Sequence, residues 1–351
     1  MGTIETKEFT IYPNNNFLNS TSQNLFNTNL TLKEGDLLTI NSNQIQPNFN
    51  SFYQYDKNTT NSNFEFCVGS LVGTLDGGKT FFPVGNHLKV MVLDEGGNLS
   101  LVFWGSDNSA DSTAVTVTVE VERGKAEEQA IATSKETAEI NFDDFPNTFS
   151  FAVHSHANSV RQHAININLP EPLLDTAIEL QPGDLLTVDV SPRDLWSQDA
   201  GARLVDANGR IVGPATRTDI GKAQWNLYPY KGHNYRDGSL AGSLDGGKTF
   251  FPVGVHLEMT VLSAGTLFLC CWDQDTGNNR SFITAYVKVV RNGVPITNLN
   301  IKTLIGIGNG SNTQIGSGTS SGTKIDDSTL NCSTNLLKLN TKLKSDLSAS
   351  K

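Results

Sequence analysis

The sequence predicts an all-β protein: two tandem β-sandwiches, jelly-roll-like in architecture, followed by a polar C-terminal arm. Three observations predict it. Residues 69 to 93, GSLVGTLDGGKTFFPVGNHLKVMVL, recur at 238 to 262 as GSLAGSLDGGKTFFPVGVHLEMTVL, without a gap and with 19 of 25 positions identical. Around this block, β-branched and aromatic residues alternate with polar ones in short runs bounded by Gly, Asn and Asp, which is how half-buried strands read. The chain, 351 residues with 37% hydrophobic content, is also long enough for two cores of ordinary domain size.

Taken in chain order, the first shared element is TNLTLKEGDLLTI at 28 to 40, which matches TAIELQPGDLLTV at 176 to 188, an offset of 148 residues. The long block follows at an offset of 169, so the second copy carries 21 more residues between the two matches. Within the block, Asp76-Gly77-Gly78 and Asp245-Gly246-Gly247 supply residues that tolerate positive φ, and a tight hairpin is expected there. Next, NLSLVFW (98 to 104) pairs with TLFLCCW (266 to 272), and VTVTVEV (115 to 121) with ITAYVKV (283 to 289). Between the copies, GKAEEQAIATSKETAEI replaces β-formers with Ala, Glu and Lys and reads as a linker. The domain boundaries that follow are 1–123 and 146–292 for the sandwiches, 124–145 for the linker and 293–351 for a Gly/Ser/Thr/Asn-rich arm. Leu336, Leu337, Leu339 and Leu343 near the end of that arm order only by burial on another surface, so self-association or docking on an assembly partner is expected through it.

Composition excludes several classes. A formal net charge of -10 disfavours a nucleic-acid surface. No run approaches the roughly 18 apolar residues of a membrane helix. The N-terminus MGTIETKEF lacks the basic and apolar regions of a Sec-type signal, which points to the cytoplasm, or to release or surface display by a non-classical route or as part of a particle. Cys67, Cys270, Cys271 and Cys332 have no metal-ligand spacing and read as reduced core or surface thiols. There is no nucleophile elbow, phosphate loop or HExxH, so no enzyme activity is expected. His87 and His256 fall at matching repeat positions, which implies a structural hydrogen bond.

One loop is rich in oxygens: Trp272-Asp273-Gln274-Asp275-Thr276-Gly277-Asn278-Asn279. These are ordinary turn residues, and they are equally the oxygen donors that a hard cation such as Ca²⁺ collects. The strand LFLCCWD, the loop ending GNNRSF, the block IELQPGDLLTV and the glycine-rich GSLAGSLDGG resemble the PA-I galactophilic lectin family, over most of the second repeat and more loosely over the first. That resemblance implies a galactose-binding type of β-sandwich in which one calcium coordinates two hydroxyls of a galactose-type glycan. Carried over by position, it makes Asp273, Asn278 and Asn279 metal ligands, with Thr276 or Asp275 as a further ligand and Trp196 as the aromatic that donates a backbone carbonyl. The family's sugar contacts have no clear match in AQWNLYPYKGHNYRDG, where Trp225, Tyr228 or His233 are the candidates to substitute. In the first repeat Gly105 stands where the second has Asp273, so its site has lost its best-matched ligand. The functional expectation is a calcium-dependent, carbohydrate-binding protein; the alternative is a structural or adhesive subunit of a phage-tail-like or contractile injection assembly that reuses the fold.

Overall fold

The computed structural model describes residues 3–19, 22–43, 48–56, 63–105, 113–123, 148–160, 173–198, 203–210, 227–273 and 279–297. The linker and the arm beyond residue 297 lie outside them. Met1–Thr303 form one compact unit, and among the described residues it is all-β, with no helix and so none able to cross a membrane.

The first repeat supplies β1 (Ile4–Ile11), β2 (Phe17–Leu18), β3 (Phe26–Leu32), β4 (Leu37–Ser42), β5 (Asn48–Asp56), β6 (Asn63–Val68), β7 (Leu71–Thr74), β8 (Phe82–Pro83), β9 (His87–Met91), β10 (Gly97–Trp104) and β11 (Val115–Glu122). The second supplies β12 (Phe149–His154), β13 (Leu174–Leu180), β14 (Leu185–Val190), β15 (Trp196–Gln198), β16 (Arg203–Val205), β17 (Leu227–Tyr230), β18 (His233–Arg236), β19 (Ser239–Ser243), β20 (Phe251–Pro252), β21 (His256–Thr260), β22 (Gly265–Trp272), β23 (Phe282–Arg291) and β24 (Val294–Pro295).

Each repeat contributes strands to two main sheets, beside the two-stranded β5-β6, β15-β16 and β17-β18. Strand β11 alternates buried and half-buried residues, so Val115, Val117, Val119 and Val121 face inward and meet Leu99 and Leu101 of β10 in one core, the two-layer packing of a sandwich. Ile283, Ala285, Val287 and Val289 of β23 do the same against Leu267 and Leu269 of β22. The inner sheets are β2-β10-β7-β8, with β3 also on β10, and β13-β22-β19-β20.

The outer sheets are continuous. Their strand order is β1-β11-β4-β9-β21-β14-β23-β12, which runs from the first repeat into the second through an antiparallel β9–β21 pair. Leu88 faces Met259, Lys89 faces Glu258 and Val90 faces Leu257. With the block offset of 169, Glu258 is the residue that corresponds to Lys89, so each strand meets its own counterpart about a pseudo-two-fold axis at that pair. This is the isologous contact of a dimer, made within one chain. Cys67 N donates to Leu262 O at 3.2 Å and the equivalent Arg236 N to Leu93 O at 2.9 Å. The pairing covers two edges that would otherwise be open templates for aggregation. The sequence reads as two separate cores, yet the main apolar cluster runs through both repeats, because β9 and β21 bury Leu88, Val90, Leu257 and Met259 in it.

Two local features repeat in detail. Asp76 accepts from Lys79 N (2.9 Å), Thr80 N (3.0 Å) and Thr80 Oγ1 (2.7 Å), and Asp245 accepts from Lys248 N, Thr249 N and Thr249 Oγ1 at the same three distances. The expected tight hairpin is thus a wider loop wound around a carboxylate, and its glycines do take positive φ: 71° and 83° at Gly77 and Gly78, 70° and 86° at Gly246 and Gly247. The matching histidines also behave alike, with His87 Nδ1 2.7 Å from Asn41 Oδ1 and His256 Nδ1 2.7 Å from Asp189 Oδ1.

Candidate metal and carbohydrate site

Strand β22 ends at Trp272, and the chain leaves the core carrying Asp273, which is 5% exposed. Trp272 anchors that end. It is fully buried against Tyr235 (ring centroids 4.8 Å apart) and Phe250 (5.2 Å). After the loop the chain returns at Asn279, which is 0% exposed. Its amide is fixed by two donated bonds, Nδ2 to Asp273 Oδ2 at 2.6 Å and Nδ2 to Ser155 O at 3.1 Å. The other end of that amide is different: Asn279 Oδ1 is buried and accepts no hydrogen bond among the described residues. A buried carbonyl oxygen without a donor is costly, and a cation is one way to satisfy it.

The return is clamped from a second direction. Arg280 N donates to Ser197 O at 2.9 Å and Ser197 N to Arg280 O at 2.8 Å, which ties the loop to β15. Trp196, the residue before, is fully buried and its indole Nε1 donates to Gly238 O at 2.8 Å. Strands β15 and β16 form a hairpin within the longer stretch of the second repeat, and no counterpart of it occurs among the described residues of the first. The extra residues therefore wall this corner. Arg280 O further accepts from Ser155 Oγ at 2.8 Å, so three separate chain segments hold the loop's end.

Of the expected metal ligands, the structure brings Asp273 and Asn279 into contact and places Trp196 beside them through Ser197. Asp275, Thr276 and Asn278 lie outside the described residues, and among the described ones no cluster of three or more His, Cys, Asp or Glu gathers. Sequence reasoning missed Asp237. It directly precedes Gly238, whose N donates to Trp272 O at 2.7 Å. Burial, followed by the charges of Asp273 and then Asp237, holds the Cys271 thiol well above its usual range. The signal was in the repeat alignment, where Asp237 replaces an apolar Val68.

The sugar-facing candidates fare differently. Trp225 lies outside the described residues, and Tyr228 is described only by its backbone in β17. His233 is a correction: it is 5% exposed and packs among Tyr235, Phe250 and Trp272. Its Nδ1 lies 3.0 Å from the Tyr235 hydroxyl, and its Nε2 accepts from Phe250 N at 3.3 Å. With both nitrogens used inside the core it offers nothing to a sugar, and burial pulls its pKa down to about 4. Cys67, Cys270 and Cys271 are all buried core thiols, the last two on opposite faces of β22 and in different apolar clusters.

No protein-family model and no curated protein matches this chain. Among solved structures it is similar to a chain described as the EclA N-terminal domain, a PllA-like lectin, at 20% identity and a TM-score of 0.25, over 41% of this chain and 98% of that one. It is also similar to the STIV MCP, at 12% identity and a TM-score of 0.15, over 82% of this chain and 96% of that one.

Proposed function

We propose that the protein binds carbohydrate of galactose type through a calcium ion held by the second repeat. The observation that carries this reading is the buried Asp273–Asn279 pair, in which a carboxylate adjoins an amide whose oxygen has no donor among the described residues. Hard cations collect such oxygens, and the residues present fit one. Asp273 and Asn279 would hold the ion, joined by donors from the loop residues Asp275, Thr276 and Asn278. When bound, calcium supplies coordination positions for sugar hydroxyls. The chain's own part is positional. Asn279 Nδ2 is spent on Asp273 and Ser155, which leaves Oδ1 as an acceptor with no donor among the described residues, and the Ser197–Arg280 exchange sets where the loop re-enters the sheet. The resemblance to the galactophilic lectins in the segment 266 to 282 supports the same assignment.

Retention on immobilised galactose tests this reading. The full chain is expected to bind in millimolar calcium and to elute with chelator, while Asp273→Ala and Asn279→Ala fail to bind. Retention that is indifferent to chelator and to both substitutions contradicts it.

A further inference from the structure

The pseudo-two-fold axis creates two related clefts, and they are unequal. Each is walled by the Asp-Gly-Gly-Lys loop of one repeat and by the strand that precedes the repeated block in the other. Where the loop of the first repeat meets β18, a space of about 60 Å³ remains; where the loop of the second meets β6, it is about 460 Å³. The difference lies in side chains. On the closed side Tyr235 and His233 fill the gap and bond each other, and Asp94 lines the wall. At the corresponding positions the open side has Phe66, Phe64 and Ser263, with Ala264 in place of Glu95. The Phe66 ring is held edge-on against Trp104, 4.9 Å between centroids. The open cleft falls within the roughly 300–1,000 Å³ of small-molecule sites.

We propose that this cleft is a second carbohydrate subsite that takes a saccharide ring without a metal ion. Its floor is apolar, formed by Phe66, Phe81, Phe251 and Met259, and matches the C–H face of a sugar ring. Its rim carries two exposed groups of opposite charge, the Glu65 carboxylate and the Lys248 ammonium, and neither is in an ion pair among the described residues. The Asp245 carboxylate is not available, since the loop's own donors occupy it. An apolar ligand desolvates both rim charges without pairing them, and a singly charged ligand satisfies one and repels the other. A neutral polyol serves both: its hydroxyls donate to Glu65, and a hydroxyl or ring oxygen accepts from Lys248.

Saturation-transfer NMR on the full chain in chelator, with methyl β-galactopyranoside and methyl β-glucopyranoside as probes, tests the subsite with the calcium site silent. Transfer to at least one glycoside is expected, unchanged in Asp273→Ala, weakened at least tenfold in Glu65→Gln and Lys248→Ala, and lost in Ala264→Trp, which fills the cleft. The rim variants alter exposed side chains and decide the matter even where the tryptophan variant does not fold. No transfer to either glycoside in chelator, or transfer undiminished in both rim variants, overturns the proposal. Failure of the calcium reading registers elsewhere, as binding in calcium that Asp273→Ala does not change.

Discussion

In the second repeat Arg291 grips the buried Asp184 carboxylate at 2.7 and 2.8 Å, and in the first Arg123 grips Asp36, its counterpart, at 2.6 Å. In contrast, Asp273 and Asp237 of the second repeat stand where the first has Gly105 and Val68. The ion pairs brace the turn into the outer sheet, so loss of the arginine leaves a buried carboxylate with only a backbone donor, Lys33 N or Gln181 N, and both copies keep them. At the end of β22 the copies differ, and only the second has this acidic pair. The comparison therefore separates residues that both copies keep from residues that only the second carries, and the proposed calcium site draws on the latter.

Breaking the shared part gives the largest effect. Arg123→Met and Arg291→Met are each expected to cost up to about 3 kcal/mol in urea denaturation, because Asp36 and Asp184, at 3% and 1% exposure, lose their charged partner and keep a backbone donor only. A neutral result for either removes the equivalence of the two braces.

A difference between the repeats comes next. His233 faces the core where the first repeat has Phe64, and its pKa is lowered to about 4. Between pH 6.5 and 4 the unfolded chain binds a proton there that the folded chain refuses, so stability falls on acidification by about 1.4 kcal/mol per pH unit from this group. Burial raises Asp206 to about 6, which works in the opposite direction between pH 6 and 3.8. That contribution is common to wild type and His233→Phe, so the difference between their stability-versus-pH curves isolates the histidine. Parallel curves contradict its burial as a neutral imidazole.

The irregularity within β3 and within β13 offers a finer comparison. Asn29 and Ala177 are equivalent and have φ of 54° and 55°, a region that asparagine tolerates and alanine does not. Ala177→Gly is expected to raise stability by about 1 kcal/mol and Asn29→Gly by less; equal gains contradict the assignment of strain to Ala177. The smallest effect is at the axis. Lys89→Glu places two carboxylates face to face across β9 and β21 and is expected to cost up to about 1 kcal/mol, and exchanging the pair by adding Glu258→Lys restores most of it. Without that rescue, the pair does not act across the seam.

Much of this was legible because the repeat reads itself. Nineteen identities in 25 positions fixed which strands correspond, and the alternation of Val115 to Val121 fixed the face that β11 buries. The pairing of Asp273 with Asn279 rests on the resemblance to the galactophilic lectins, since the loop's composition alone reads equally as a turn. Other parts were not legible. Nothing in HLKVM and HLEMT distinguishes an edge strand from a paired one, since Leu88, Val90, Leu257 and Met259 need burial in either case; the complementary Lys89 and Glu258 were the available hint. His233 is a candidate in the sequence because an aromatic face can stack on a sugar, whereas its burial comes from Phe250 and Trp272, distant in the chain. Asp76 and Asp245 read as turn residues by composition, but the four-residue reach of each carboxylate back to the backbone emerges only in three dimensions.

Calcium stoichiometry tests the contrast between the repeats most directly. Isothermal titration of the metal-free full chain is expected to give one calcium per chain, none for Asp273→Ala, and still one for a variant altered only in the first repeat's loop, Asp107→Ala. Two ions per chain would show that the first repeat retains a site despite Gly105 and Val68, and none would show that the buried Asp273–Asn279 pair is satisfied without a metal. Either result contradicts the account.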